Sequence, residues 1–212
     1  MTEYRARLRR LGVVPVVVLR EEEEAERLGE ALCLGGLPCA EVTFRTPAAE
    51  GAIRRLRRAF PHMLVGAGTV LTGEQADRAL DAGAEFLVSP GLDEKVAARC
   101  LERRVPMIPG VVTPSEIQRA LGLGLEAVKF FPAQAFGGVK TIRSLSGPFP
   151  GLEFLPTGGI GPEHLREYLS QRQVLACGGS WMVKEELIAG GRFDEIQALC
   201  AQAAAIVKEV RG

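Results

Sequence analysis

Lys129 stands inside the apolar stretch Ala127-Val128-Lys129-Phe130-Phe131-Pro132-Ala133. An ammonium in such a run must leave water, and desolvation disfavours its charged form. A dry, neutral amine is a nucleophile, and with a carbonyl substrate it forms a Schiff base. The competing reading is a strand-end lysine that lays its alkyl stem on apolar surface and keeps its charge in solvent. The chain has five lysines, and the other four, Lys95, Lys140, Lys184 and Lys208, lie in polar segments with helical patterning.

A second chemical group is written into Glu41-Val42-Thr43-Phe44-Arg45-Thr46. Strand alternation puts Glu41, Thr43 and Arg45 on one face, with Val42 and Phe44 on the other. A carboxylate facing a protein interior is costly unless it is paired or hydrogen-bonded. Two outcomes are open. Glu41 and Arg45 form a structural ion pair, or Glu41 serves as an acid/base group beside the amine.

The elements that must position these groups repeat along the chain. Short apolar runs cover 13–19, 40–44, 63–66, 85–89, 105–108, 127–131, 153–155 and 174–177. Amphipathic helical stretches over 22–34, 48–60, 73–82, 93–102, 114–121, 140–145 and 162–169 separate most of them. Continuous apolar strands alternating with helices predict a parallel sheet covered by helices. Eight such strands predict an α/β fold of the closed (β/α)₈ TIM-barrel type, as one domain over 1–212, with an open doubly wound sheet as the alternative. A helix over 3–11 and a final one over 193–210 flank the barrel. The acidic run Glu21–Glu24 suits the first turn of a helix, where the dipole favours carboxylates.

In a barrel, chemistry gathers at the C-terminal ends of the strands. Glu41 and Lys129 belong to the second and sixth runs, and alternate strands fill the same interior layers, so the two side chains are expected to meet at the axis. Gly66-Ala67-Gly68-Thr69-Val70 and Ser89-Pro90-Gly91 end the third and fourth runs as ordinary turn signals. Pro156-Thr157-Gly158-Gly159-Ile160 and Cys177-Gly178-Gly179-Ser180-Trp181 end the seventh and eighth. Paired glycine loops at these successive strands expose backbone N–H groups where such barrels bind phosphate. Trp181 reads as packing.

Bulk properties narrow the partners. The chain has 212 residues, 47% hydrophobic and 25% charged, with 26 basic and 26 acidic side chains. No global field favours nucleic acid or a membrane surface, so a local site must recognise a small molecule. The opening residues do not read as a targeting segment. Five scattered cysteines without a CxxC pair read as reduced core thiols of a cytoplasmic protein. His62, His164, the cysteines and the carboxylates show no metal-ligand spacing, and no metal or other cofactor is expected.

Taken together, Glu41-Val42-Thr43-Phe44-Arg45-Thr46, Gly66-Ala67-Gly68-Thr69-Val70-Leu71, Ser89-Pro90-Gly91, Lys129-Phe130-Phe131-Pro132-Ala133, Pro156-Thr157-Gly158-Gly159-Ile160 and Gly178-Gly179-Ser180-Trp181 resemble the 2-keto-3-deoxy-6-phosphogluconate (KDPG/KHG) aldolases over nearly the whole chain. These are trimeric class I aldolases. The resemblance implies Lys129 as the Schiff-base lysine and Glu41 as the general acid/base. It implies Arg45, aided by Thr69, as the holder of the pyruvyl carboxylate, and Pro90 and Phe131 as pocket walls. Thr157, Gly158, Gly159, Gly179 and Ser180 match positions near the aldehyde-side phosphate. Phe44 departs from the aliphatic residue of that motif, on the face away from the chemistry. The implied reaction yields pyruvate and D-glyceraldehyde 3-phosphate from the phosphorylated keto acid. The galactonate epimer and 4-hydroxy-2-oxoglutarate remain as alternative substrates, and a non-catalytic phosphosugar-binding barrel as an alternative class.

Overall fold

The computed structural model describes residues 3–212. Helix α1 (Glu3–Leu11) leads into β1 (Val13–Val17), α2 (Glu24–Leu34), β2 (Cys39–Thr43), α3 (Ala49–Ala59), β3 (Leu64–Gly68), α4 (Gly73–Asp81), β4 (Leu87–Val88) and α5 (Glu94–Glu102). There follow β5 (Met107–Ile108), β6 (Gly110–Val111), α6 (Pro114–Gly122), β7 (Ala127–Phe130), α7 (Gly138–Ser146), β8 (Glu153–Phe154), α8 (Pro162–Leu169), β9 (Cys177–Gly179), α9 (Glu185–Ala189) and α10 (Phe193–Arg211). The expected helices form to within a few residues at their ends. The short α9 was not expected from the sequence.

Several helix starts have a local cause. Thr72 caps α4 by accepting the Gln75 N–H, and Asp93 caps α5 by accepting from Lys95 and Val96. Thr113, Pro114 and Glu116 build a capping box with proline in the first turn of α6. The acidic run fits its expectation only at its end. Helix α2 begins at Glu24, so Glu21 to Glu23 lie in the preceding turn, where Arg55 bridges Glu22, Glu23 and Glu26.

The strands close into a parallel barrel. One set runs β5-β4-β3-β2-β1-β9 and the other β6-β7-β8. Pro109 follows the fifth apolar run, 105–108, and separates β5 from β6, because proline has no N–H to give the ladder. Its carbonyl still accepts the Lys129 N–H at 2.8 Å, which joins β5 and β6 into one barrel strand. On the other side, bridges Phe154↔Val174 and Thr157↔Gly178 stitch β8 to the β9 segment. The barrel is therefore closed, and the open-sheet alternative fails on that pairing.

Side-chain alternation then sorts the core. Val42, Val65, Leu87, Val128, Phe130 and Phe154 face the helices in one apolar shell. Leu8, Val14, Cys39, Leu64, Phe86, Val88, Ile108, Ala127, Leu155 and Leu175 fill the interior in another. The apolar fill occupies the end where the strands begin, and Leu8 of α1 packs into it. Glycine at position 66 leaves room for the Phe86 ring, since a Cβ there would lie 2.4 Å from it. Above this layer the interior turns polar.

Candidate active site

Glu41 and Lys129 meet in that polar layer. Lys129 Nζ donates to Glu41 Oε1 at 3.1 Å, across 88 residues of sequence. Glu41 is 0% exposed and Lys129 5%, so the pair is dry. This is the juxtaposition that strand alternation and barrel layering predict. The strand-end snorkelling reading of Lys129 is thereby excluded. The Glu41–Arg45 ion pair does not form either; the partner of Glu41 is Lys129.

The neighbours of the pair make its room. Gly68 on β3 stands where any Cβ would lie 2.3 Å from Glu41 Oε1, so a side chain there would displace the carboxylate. Gly110 is the register partner of Lys129 and packs against the carbonyl of Pro90, leaving 2.0 Å for a Cβ. The Phe131 ring lies 5.3 Å from Lys129 Nζ and offers it a π face. Thr43 Oγ1 donates to the Val17 carbonyl at 2.9 Å, so its hydroxyl ties β2 to β1 and its donor is already committed.

Two local costs mark the site. Glu41 Oε2 is buried without a hydrogen-bond partner. An acceptor in that state costs about 1–3 kcal/mol, so it marks a place where a ligand's donor belongs. Thr69, directly after Gly68, adopts φ 55°, in the left-handed region. That backbone is strained for a β-branched residue, and such strain gathers at functional sites.

Above the pair opens a cavity of about 350 Å³. Arg45, Phe131, Thr157, Gly158, Gly159, Gly179 and Ser180 line it, as the sequence reading grouped them. Arg45 lies past the end of β2 in the following turn, exposed, and its side chain makes no hydrogen bond or ion pair among the described residues. It is a cation without a protein anion. Gly158 and Gly159 take φ of 101° and 75°, backbone that side chains rarely adopt. Gly178 leaves space for the Thr157 hydroxyl, and Gly179 lies under the Trp181 ring, which packs against the core as expected.

Four expected site residues stand apart from this lining. Glu41 and Lys129 are buried and not among the cavity walls, and Thr69 and Pro90 adjoin that pair instead, through Gly68 beside Glu41 and Gly110 opposite Lys129. The sequence reading missed Val16, Val18, Lys184, Glu185 and Glu186, which also line the mouth. Lys184 to Glu186 enter through α9, whose five residues are too few to show a helical period. His164 has a structural task, accepting the Gly161 N–H at the start of α8. No helix among the described residues is long and apolar enough to cross a membrane.

The chemistry of this arrangement can be set beside known proteins. A 2-dehydro-3-deoxy-phosphogluconate aldolase of Treponema pallidum is 49% identical over 94% of this chain and 95% of its own length. A KHG/KDPG aldolase of Escherichia coli K12 is 44% identical over 90% of each chain. Among solved structures, the KDPG aldolase of Legionella pneumophila, with pyruvate captured as a covalent carbinolamine, superposes with a TM-score of 0.91. It is 42% identical and covers 95% of this chain and 98% of that one. The model of the family described as KDPG and KHG aldolase matches residues 4–199, and with a buried lysine–glutamate pair under an open mouth this chain belongs to that family.

Proposed function

We propose that the chain is a class I aldolase that reversibly cleaves 2-dehydro-3-deoxy-6-phosphogluconate to pyruvate and D-glyceraldehyde 3-phosphate. One observation carries the residue assignment: a buried amine 3.1 Å from a carboxylate whose second oxygen has no partner. Lys129, neutral after passing a proton to Glu41, attacks the C2 ketone. Glu41 returns the proton as the carbinolamine loses water, and the protonated imine becomes the electron sink. Removal of the C4 hydroxyl proton by Glu41 then breaks the C3–C4 bond. The aldehyde leaves, an enamine remains, and protonation at C3 followed by hydrolysis frees pyruvate and the lysine.

The other walls support binding roles. Arg45, an unpaired cation at the rim, suits the keto-acid carboxylate by a forked contact, with Thr69 beside it. Phe131 and Pro90 shape the pyruvyl side. Gly158, Gly159 and Ser180 supply amide and hydroxyl donors for the phosphate at the far end, with Gly179 and Thr157, whose hydroxyl donates to the Leu155 carbonyl at 3.4 Å, beside them. The enzyme is read as a single barrel domain, 1–212, working as a homotrimer in the cytoplasm. Five unpaired thiols suit that reducing compartment.

A second substrate is favoured by the same mouth. Amide N–H groups donate to a carboxylate as well as to a phosphate, and the Escherichia coli relative is named for both keto acids. Cleavage of 4-hydroxy-2-oxoglutarate to pyruvate and glyoxylate is therefore the alternative reading. Borohydride reduction with pyruvate, followed by peptide mass spectrometry, is expected to place the adduct on Lys129. Lys129→Ala should lose both adduct and turnover, and retention of either sinks the assignment. Comparing pyruvate release from both epimeric phospho acids and from 4-hydroxy-2-oxoglutarate ranks the substrates.

A further inference from the structure

The opposite end of the barrel, where the strands begin, holds a larger cavity of about 830 Å³. Its walls come from α1, the last turns of α10, the turn before β2 and the turn after α8. Leu11, Pro38, Leu169 and Val207 give it apolar faces. Arg7, Arg9, Arg10, Arg172, Lys208 and Arg211 also line it, and no aspartate or glutamate does. In a chain with 26 basic and 26 acidic side chains, that is a strong local excess of positive charge.

Protein carboxylates neutralise only part of it. Arg7 pairs with Glu85, and Arg9 with Glu153. Arg211 is held by backbone carbonyls alone, those of Val174 at 2.7 Å and of Arg9 and Leu175 at 2.9 Å among them. Its guanidinium is pushed below the usual arginine range by burial and by the charge of Arg9. Arg10, Arg172 and Lys208 are exposed, and their side chains make no hydrogen bond or ion pair among the described residues. Arg9 Nε is buried without an acceptor. Three free cations, a carbonyl-held arginine and an orphaned donor thus surround one concave, partly apolar space.

We propose that this cavity is a second ligand site, which binds a nucleoside polyphosphate with its ring on Leu11, Pro38, Leu169 and Val207 and its phosphates on Arg10, Arg172 and Lys208. Guanidinium forks match phosphate oxygens in pairs, and several cations without an acid call for several negative charges. The apolar walls call for a ring as well as an anion. The volume falls in the usual range for a small-molecule site. The cations ring one hollow rather than forming a stripe, which fits a compact ligand and not a nucleic-acid strand. This site lies at the barrel floor and is independent of the reaction assigned to Lys129.

The test is calorimetric titration of the full chain with ADP at fixed ionic strength. Saturable one-to-one binding with a Kd below roughly 1 mM is expected. The combined variant Arg10→Gln/Arg172→Gln/Lys208→Gln should weaken it by about tenfold or more, the scale of lost charge-assisted hydrogen bonds, with aldol cleavage unchanged. Adenosine and pyrophosphate should each bind about tenfold less tightly than ADP, because each lacks half of the match. Arg45→Gln should bind ADP as the parent does. Absence of saturation, equal affinity for pyrophosphate, an unaffected triple variant, or loss of binding in Arg45→Gln each overturns the proposal.

Discussion

The buried and half-buried carboxylates at the floor and at the mouth of this barrel are partnered in opposite ways. At the floor, Glu153 is gripped by both Arg5 and Arg9, and Glu85 by both Arg7 and Arg57. Each of these carboxylates has a cation on either oxygen. At the mouth, Glu41 has one partner and one bare oxygen, and the Arg45 side chain has no partner among the described residues. Saturated pairs fix a geometry, whereas unsaturated ones leave donors and acceptors for something that arrives later. The general rule for this architecture, stability below and chemistry above, is thus visible in individual oxygen atoms.

The sharpest way to break that contrast is to remove the mouth's pair. Lys129→Ala is expected to lower kcat by about 10⁶-fold, the scale on which deletion of a covalent nucleophile acts. Glu41→Gln is expected to lower it by about 10²–10⁴-fold, as for a lost acid/base group. Steady-state rates alongside thermal melts test both. If Glu41→Gln melted far below the parent and kept its rate, the pair would be structural and the two ends alike.

Alkali sharpens the comparison from the side of stability. Burial pushes the Cys177, Cys100 and Cys200 thiols up to about 12, with a nearby Asp77 adding to the effect at Cys100. A folded value above the unfolded one near 9 contributes stability that is complete below about pH 9 and lost as pH rises toward 12. Each thiol supplies a slope of about 1.4 kcal/mol per pH unit in that window. None of them lines the mouth. Urea midpoints should therefore fall above pH 9, and Cys177→Ala should flatten the fall. A flat profile would mean that these thiols ionise inside the fold.

The floor has its own test. Glu153, only 7% exposed, is the carboxylate that Arg9 depends on and one of the two that hold Arg5, the other being Glu126. Removing one member of a buried ion pair costs about 3–5 kcal/mol. For Glu153→Gln, an unfolding free energy lowered by that amount, with kcat unchanged, is the expected result. A shift under about 1 kcal/mol would place the floor pairs with ordinary surface bridges.

Much of this site was legible because two simple periods govern it. Alternation along a strand turned Glu41 and Lys129 inward, and the barrel's layering brought them together. Alternation stopped being a guide at Arg45, because β2 ends at Thr43 and the next residues turn outward. The fifth apolar run ends at residue 108, so β6, the two residues beyond Pro109, went unseen. Helix α9 was too short for any period, so Lys184 and its neighbours went unseen at the mouth. The floor cavity left no mark in the sequence at all. Its cations run from Arg7 to Arg211 and meet only because the last turn of α10 reaches α1, where Arg211 donates to the Arg9 carbonyl.

The smallest expected effect is the most discriminating for the mouth. A left-handed backbone costs an ordinary L-residue about 1–2 kcal/mol, and Thr69 holds that conformation at φ 55°. Glycine removes the clash but gains freedom in the unfolded chain, which offsets about 0.5–1 kcal/mol. Thr69→Gly should therefore stabilise the protein slightly, by up to about 1 kcal/mol. It should also raise KM, because the proposed hydroxyl contact to the keto acid is gone. A rise in midpoint with poorer binding would mean that strain is kept at the mouth for its ligand. A fall in midpoint would mean that the threonine side chain supports the fold, and the mouth would then share the floor's role at this one position.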